Sequence, residues 1–345
     1  MKRIYFSLLL SFAGLLAQAC TTFFINHNGQ MVFGRNYDWM ADAGMVCTNQ
    51  RGLAKTSLKN NDGTTISWVS QYGSITFNQY GKEFPTGGMN EKGLVVELMW
   101  LEGTEYPSRD ERPAIGVLQW VQYQLDNCTT IEEVIATDKK LRIISKGTPL
   151  HYLIADAKGN AATIEFLDGK MVVHKDKQLP FAVLTNNTYQ QSVAAKQNGS
   201  DAGNNSLERF TEACDMVKQY KNIATNKSII DYSFDILNKV AQGDFTKWSI
   251  VYDINNKKIY FKTERAKDIK NIAFSALDLG CQSPPKAMNM NDSGAGDISP
   301  KLVNYTAEMN RKTVEKALEQ SQSQIRVSRE ERDATIGFPA GISCK

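Results

Sequence analysis

Two apolar runs, TTFFIN at 21–26 and MVFGRN at 31–36, flank the dipeptide Asn28-Gly29. Asn-Gly between such runs is a strong short-range hairpin signal, because both central residues of a type I′ turn need positive φ. With those residues at the tip, Thr22 faces Arg35 and Cys20 faces Tyr37, and Asp38 falls beside Cys20 at the strand end. The turn alone therefore predicts that Arg35 and Asp38 lie close to Cys20. Strict strand alternation puts Asp38 on the face opposite Cys20, so a bend at the strand end is needed to re-aim it.

What precedes Cys20 gives this placement a chemical meaning. Residues 1–19 carry Lys2 and Arg3, then an apolar run from Ile4 to Leu16, then Ala17-Gln18-Ala19. That order reads as a secretory signal with a small-x-small cleavage site. The run is short of the ~20 residues of a membrane span. Cleavage after Ala19 would make Cys20 the first residue. Two readings of Cys20 then compete, a lipid-modified Cys and a free nucleophile, and they exclude each other because lipidation blocks the thiol. Ala17 and Gln18 fit poorly the aliphatic and small residues expected before a lipidated Cys.

As a nucleophile, Cys20 would need no histidine. A free thiol has a pKa of ~8.5 and an α-amine one of ~8, so the amine of the same residue can act as base. Arg35 would favour the thiolate by charge, and Asp38 would hold the amine. His27, His151 and His174, the three histidines, are assigned no catalytic role.

The rest of the chain bounds the fold. Lys+Arg number 40 against 37 Asp+Glu, too balanced for a nucleic-acid binder working by bulk charge. Strands are expected at Ile66–Ser70, Ser74–Phe77, Leu94–Leu101, His151–Asp156, Ala162–Phe166, Met171–His174, Phe181–Leu184, Trp248–Asp253 and Lys258–Thr263. Pro113 is expected to open a helix, Thr130-x-x-Glu133 to cap the next, and Ser206–Tyr220 and Ser228–Val240 to be helical. Strands in runs and helices in runs indicate an α+β fold. Residues 282–300 read as a surface loop and Lys301–Gln324 as an amphipathic helix. Together they form an extension, from about 282, of one large domain spanning 20–345.

Cys47, Cys128, Cys214, Cys281 and Cys344 contain no C-x-x-C pair, and Asp292–Asp297 lacks the spacing of a calcium loop. No metal or cofactor is therefore expected. Buried free thiols are the simplest expectation for these five, with disulfides open to an exported chain.

The segment CTTFFINHNGQMVFGRNYDWM resembles the start of the choloylglycine hydrolase and penicillin V acylase family. Gly88–Leu94 (GMNEKGL) is similar to a second family segment, Leu184-Thr185-Asn186 to a third, and Ser206–Phe210 (SLERF) to a fourth. The resemblance implies an N-terminal nucleophile hydrolase with a four-layer αββα sandwich of two antiparallel sheets. It implies cleavage of linear amides with Cys20 as nucleophile, its amine as base, Arg35 and Asp38 beside it, Asn186 at the oxyanion and Arg209 at the active site. Trp100 stands where many relatives carry Asn or Tyr; with Trp39 it resembles the Trp-bearing pockets of acylases from Gram-negative bacteria. The implied partner is a small N-acyl amide, bile salts first and penicillin V as the close alternative, with no nucleic acid and no membrane span. The interval from Asn186 to Arg209 lacks the insertion that helps many Gram-positive relatives build tetramers, which leaves homo-oligomerisation open. A reading of another class is a Cys20-lipidated, non-catalytic binding protein.

Overall fold

In the computed structural model the hairpin forms in the expected register. Thr21–His27 pairs with Gln30–Asp38, with Thr22 opposite Arg35, and Asn28 and Gly29 at its tip have φ of 51° and 78°. The structure describes residues 20–345 apart from 61, 146 and 223–226. The signal segment expected at 1–19 lies outside the described residues.

The hairpin supplies the second and third strands of a seven-stranded sheet. Its strand order is Val183–Leu184, Thr21–His27, Gln30–Asp38, Thr246–Asp253, Lys258–Thr263, Lys270–Ala273 and Gly296–Asp297. A nine-stranded sheet runs Lys170–Lys175, Ala161–Leu167, Leu150–Ala155, Val95–Trp100, Pro85–Asn90, Ser74–Asn78, Met45–Asn49, Lys286–Asn289 and Val303–Asn304. The second sheet is antiparallel throughout, and the first is antiparallel except at its Gly296–Asp297 edge. Their facing sides share one core, in which Phe77 meets Phe261 and Tyr252 edge-on at 5.4 and 6.1 Å.

Helices cover the two outer faces. In chain order they are α1 (Val117–Asn127), α2 (Ile131–Ala136), α3 (Tyr189–Asn198), α4 (Asn205–Asn222), α5 (Ile229–Lys239), α6 (Ala307–Ser321) and α7 (Arg329–Gly337). The first two pack on the nine-stranded sheet, α4 and α5 on the seven-stranded one. This is the αββα sandwich expected. Close packing shows in the hairpin itself: a Cβ at Gly34 would collide with the Phe23 ring.

Several local expectations need correction. Pro113 does not open a helix: Ala114–Gly116 first pairs in parallel with Arg142–Ile144, and α1 begins at Val117. The 282–300 stretch is not merely a loop, since Lys286–Asn289 and Gly296–Asp297 extend the two sheets. The helix expected at 301–324 is shorter, because Thr306 caps α6 and accepts from the Met309 N–H. Helix α3 was not anticipated, although Thr188 and Gln191 form a capping box at its start. Cys281 and Cys344 are not free thiols but a disulfide, while Cys47, Cys128 and Cys214 are buried and free as expected.

Candidate active site

Cys20 sits at the head of the first strand, 5% exposed, and its thiol points to the Asp38 carbonyl oxygen at 3.8 Å. The bend needed to bring Asp38 there exists, and the neighbouring strand supplies it. Tyr37 pairs with Trp248 and Asp38 with Thr246, so Lys247 is a bulge residue opposite the end of the hairpin. A bulge re-aims the side chains next to it.

Asp38 is fully buried, and neither carboxylate oxygen makes a hydrogen bond of good geometry. Burial pushes its pKa up to about 7, against the pull of the Arg209 guanidinium, the Thr246 hydroxyl and Arg35. Burial likewise raises the Cys20 thiol, opposed by Arg35, while the Asp38 charge raises it further.

An acid raised in the folded state stabilises the fold fully below its ordinary pKa and ceases to do so as pH climbs through the folded value. A chain whose Cys20 nitrogen stays in a peptide bond should therefore lose stability between about pH 4 and 7 on account of Asp38. Asp38→Asn should flatten that fall by on the order of 4 kcal/mol, read from urea midpoints across the range. An unaltered slope would show that Asp38 is not the group responsible.

Arg209, on α4, gathers the remaining residues. Its Nη1 donates to the Cys20 carbonyl and to Thr21 Oγ1, both at 2.6 Å, and its Nη2 to Asn186 Oδ1 at 3.1 Å. Asn205 Oδ1 accepts from its Nε at 2.9 Å. Asn186 Nδ2 donates to the Trp100 carbonyl at 2.7 Å, leaving its second N–H for another acceptor. The turn bearing Asn186 is held from below, because His151 contacts the Thr185 carbonyl at 2.7 Å and Glu165 at 3.2 Å.

Arg35 is completely buried one strand away. It donates to the carbonyls of Thr86 (2.8 Å) and Leu98 (2.9 Å) and forms an ion pair with Glu97. Tyr252 donates to the same carboxylate, and a Cβ at Gly87 would collide with it. Burial is the largest single influence and works against the Arg35 charge, but Glu97 with Cys20, Tyr37 and Tyr252 together outweigh it, and the guanidinium is held protonated above its ordinary range. Sequence reading missed Glu97. Its signal was a lone carboxylate inside the apolar run Leu94–Leu101, which when buried must be paired.

Trp39 and Trp100 flank the site, ring centroids 5.9 Å apart. The Trp100 indole N–H, at the position where many relatives carry a polar residue, is engaged with Glu102 at 2.8 Å. With Cys20, Asp38, Leu98 and Leu150 the two rings line an apolar cavity of about 210 Å³. Of the sequence-predicted residues, Cys20, Asp38, Trp39 and Trp100 line this cavity, Arg209 and Asn186 are hydrogen-bonded behind Cys20, and Arg35 lies buried in its pair with Glu97. Among the described residues no cluster of His, Cys, Asp or Glu could hold a metal ion, and no helix is long and apolar enough to cross a membrane.

The profile of the linear amide C–N hydrolases, choloylglycine hydrolase family, matches residues 20–205. Penicillin V acylase of Pectobacterium atrosepticum is 29% identical over 360 aligned positions, covering 84% of this chain and 93% of that one. Penicillin V acylase from Agrobacterium tumefaciens superposes with a TM-score of 0.73 at 25% identity, covering 83% of this chain and 98% of that one. A variant of conjugated bile acid hydrolase from Clostridium perfringens has the same fold, with a TM-score of 0.67 at 18% identity, covering 79% and 98%. With more than half its length inside the family profile, the chain belongs to the choloylglycine hydrolase family of linear amide C–N hydrolases.

Proposed function

We propose that the protein is an exported hydrolase that uses Cys20, freed by removal of residues 1–19, to cleave N-acyl amides with an aryl or medium-length acyl group. The observation that carries this reading is that Cys20 lines an apolar cavity while Arg209 grips its carbonyl and Asn186 together. The leader motif and the Cys281–Cys344 disulfide support export, since disulfides persist in oxidising compartments.

The chemistry follows from the groups present. The Cys20 amine takes the thiol proton, and sulfur attacks the amide carbon. The carbonyl oxygen becomes an oxyanion, for which the second Nδ2 hydrogen of Asn186 is the proposed donor. The protonated amine returns its proton to the leaving nitrogen as the C–N bond breaks, leaving a thioester. Water then gives a proton to the amine and its oxygen to the acyl carbon, the acid departs, and the thiol is restored. Asp38, buried without a good partner, is the counter-charge for the freed ammonium. Arg35 favours the thiolate from within its pair with Glu97. The lipid-anchor reading of Cys20 is disfavoured by the burial of its thiol, where acyl chains would fill the cavity.

Cavity size supports one of the chemistries named by the relatives over the other. The cavity offers about 210 Å³ of apolar space beside Cys20. That suits a phenoxyacetyl group better than a steroid nucleus, and so favours the aryl acid over the bile salt that the motifs alone placed first. A panel of penicillin V, glycine and taurine bile salts and N-acyl amino acids tests this. Penicillin V should exceed the bile salts in kcat/KM by about tenfold or more. The reverse order would overturn the acyl preference, and hydrolysis of none would overturn the amidase reading.

A further inference from the structure

The cavity beside Cys20 has two unlike walls. The inner one comes from the two sheets and α1, through residues such as Trp39, Leu98 and Val117. The outer one comes from the end of the chain: Val314 and Leu318 on α6, Ile325 and Val327 in the turn after it, and Thr335 on α7. Val314 and Leu318 are four residues apart and so share a helix face. Val327 is 45% exposed, a large apolar side chain kept at the mouth rather than packed away. This wall lies wholly outside the stretch that carries the family's motifs.

The wall is attached to the catalytic side. The Trp39 indole N–H donates to the Tyr80 hydroxyl at 2.8 Å, which donates to Ser321 Oγ on α6 at 3.0 Å. Ser321 in turn donates to the Ala317 carbonyl at 2.7 Å. Beside Ser321, Gln320 accepts from the N–H groups of Asp42 and Ala43, both at 3.2 Å. Trp39 immediately follows Asp38, so the outer wall is hydrogen-bonded to the segment that carries the site.

We infer that residues 314–335 are the acyl-selecting wall of this enzyme, with Leu318 and Val327 setting the largest acyl group that reaches Cys20. The inference rests on the amidase reading and names what that site selects. Apolar volume is the selecting quantity: a hydrophobic wall discriminates by about 10–200-fold for one methylene added or removed. The wall acts on the acyl side because it closes the apolar cavity, whereas the leaving amine carries polar or charged groups.

The test is kcat/KM for a series of N-acyl glycines (acetyl, hexanoyl, phenoxyacetyl, cholyl) with Leu318→Trp, Leu318→Ala and Val327→Trp. Leu318→Trp should lower the phenoxyacetyl-to-acetyl ratio about tenfold, mainly through KM. Leu318→Ala should raise the cholyl-to-phenoxyacetyl ratio by about fivefold or more. With phenoxyacetyl fixed, the preference between glycine and taurine as leaving amine should move less than about twofold. Acyl ratios unchanged in all variants, or a shift confined to the leaving amine, would overturn the inference. Val327, being exposed, carries the test if Leu318→Trp does not fold. Should the wild type hydrolyse nothing, calorimetric titration with phenoxyacetate separates the two ideas. Binding that weakens about tenfold in Leu318→Trp upholds the wall while the amidase reading falls; no binding by the wild type overturns both.

Discussion

Cys20→Ser in a chain that begins at residue 20 is expected to lower kcat/KM toward its best amide by about 10³-fold or more while leaving the urea midpoint near that of the wild type. The fold should survive because the thiol makes one long contact, to the Asp38 carbonyl, and little depends on it. The rate should fall because a hydroxyl has a far higher pKa than a thiol, so beside the same amine it supplies far less of the nucleophilic anion in a site arranged around sulfur. Intact mass of the wild type after expression with residues 1–19 must first show a chain beginning at an unmodified Cys20. A diacylated mass, or a Ser variant with undiminished hydrolysis, would exclude Cys20 as nucleophile.

The second large effect is expected at Glu97. Glu97→Leu leaves the Arg35 guanidinium fully buried with its counter-charge gone, and should cost about 3–5 kcal/mol in urea unfolding. The pair as a whole need not be stabilising, because desolvation of both charges offsets their attraction. Arg35→Met combined with Glu97→Leu is therefore expected to recover much of that loss. The same double variant should stay poorly active, because the positive charge acting on Cys20 has gone with Arg35. A Glu97→Leu loss below about 1 kcal/mol would show that Arg35 finds another partner.

The two effects also mark what can be read along a chain and what cannot. The hairpin register and the neighbourhood of Cys20, Arg35 and Asp38 were local: a two-residue turn fixes them. The orientation of Asp38 was not, because the bulge that re-aims it lies at Lys247, two hundred residues downstream. Asn186 and Arg209 entered through motif resemblance alone, and their contact with each other and with the Cys20 carbonyl depends on how α4 lies on the first strand. Glu97 carried a readable signal, an unpaired charge in an apolar strand, but its partner sits in the other sheet. The short strands at 286–289, 296–297 and 303–304 exist because sheet edges recruit them, against a local composition of Pro, Gly, Ser and Asn.

The Cys281–Cys344 bond gives the outer wall of the cavity an unusual standing. A binding wall carried by a stretch held at one end only would open at little cost. Here Cys281 and Cys344 bracket residues 314–335, so the wall belongs to a ring rather than a tail. By the chain-entropy argument a ring of 63 residues loses about 4 kcal/mol of unfolded-state freedom. The wall then separates from the sheets only as a closed loop, and its persistence follows the redox state of the surroundings rather than the fraying of a terminus.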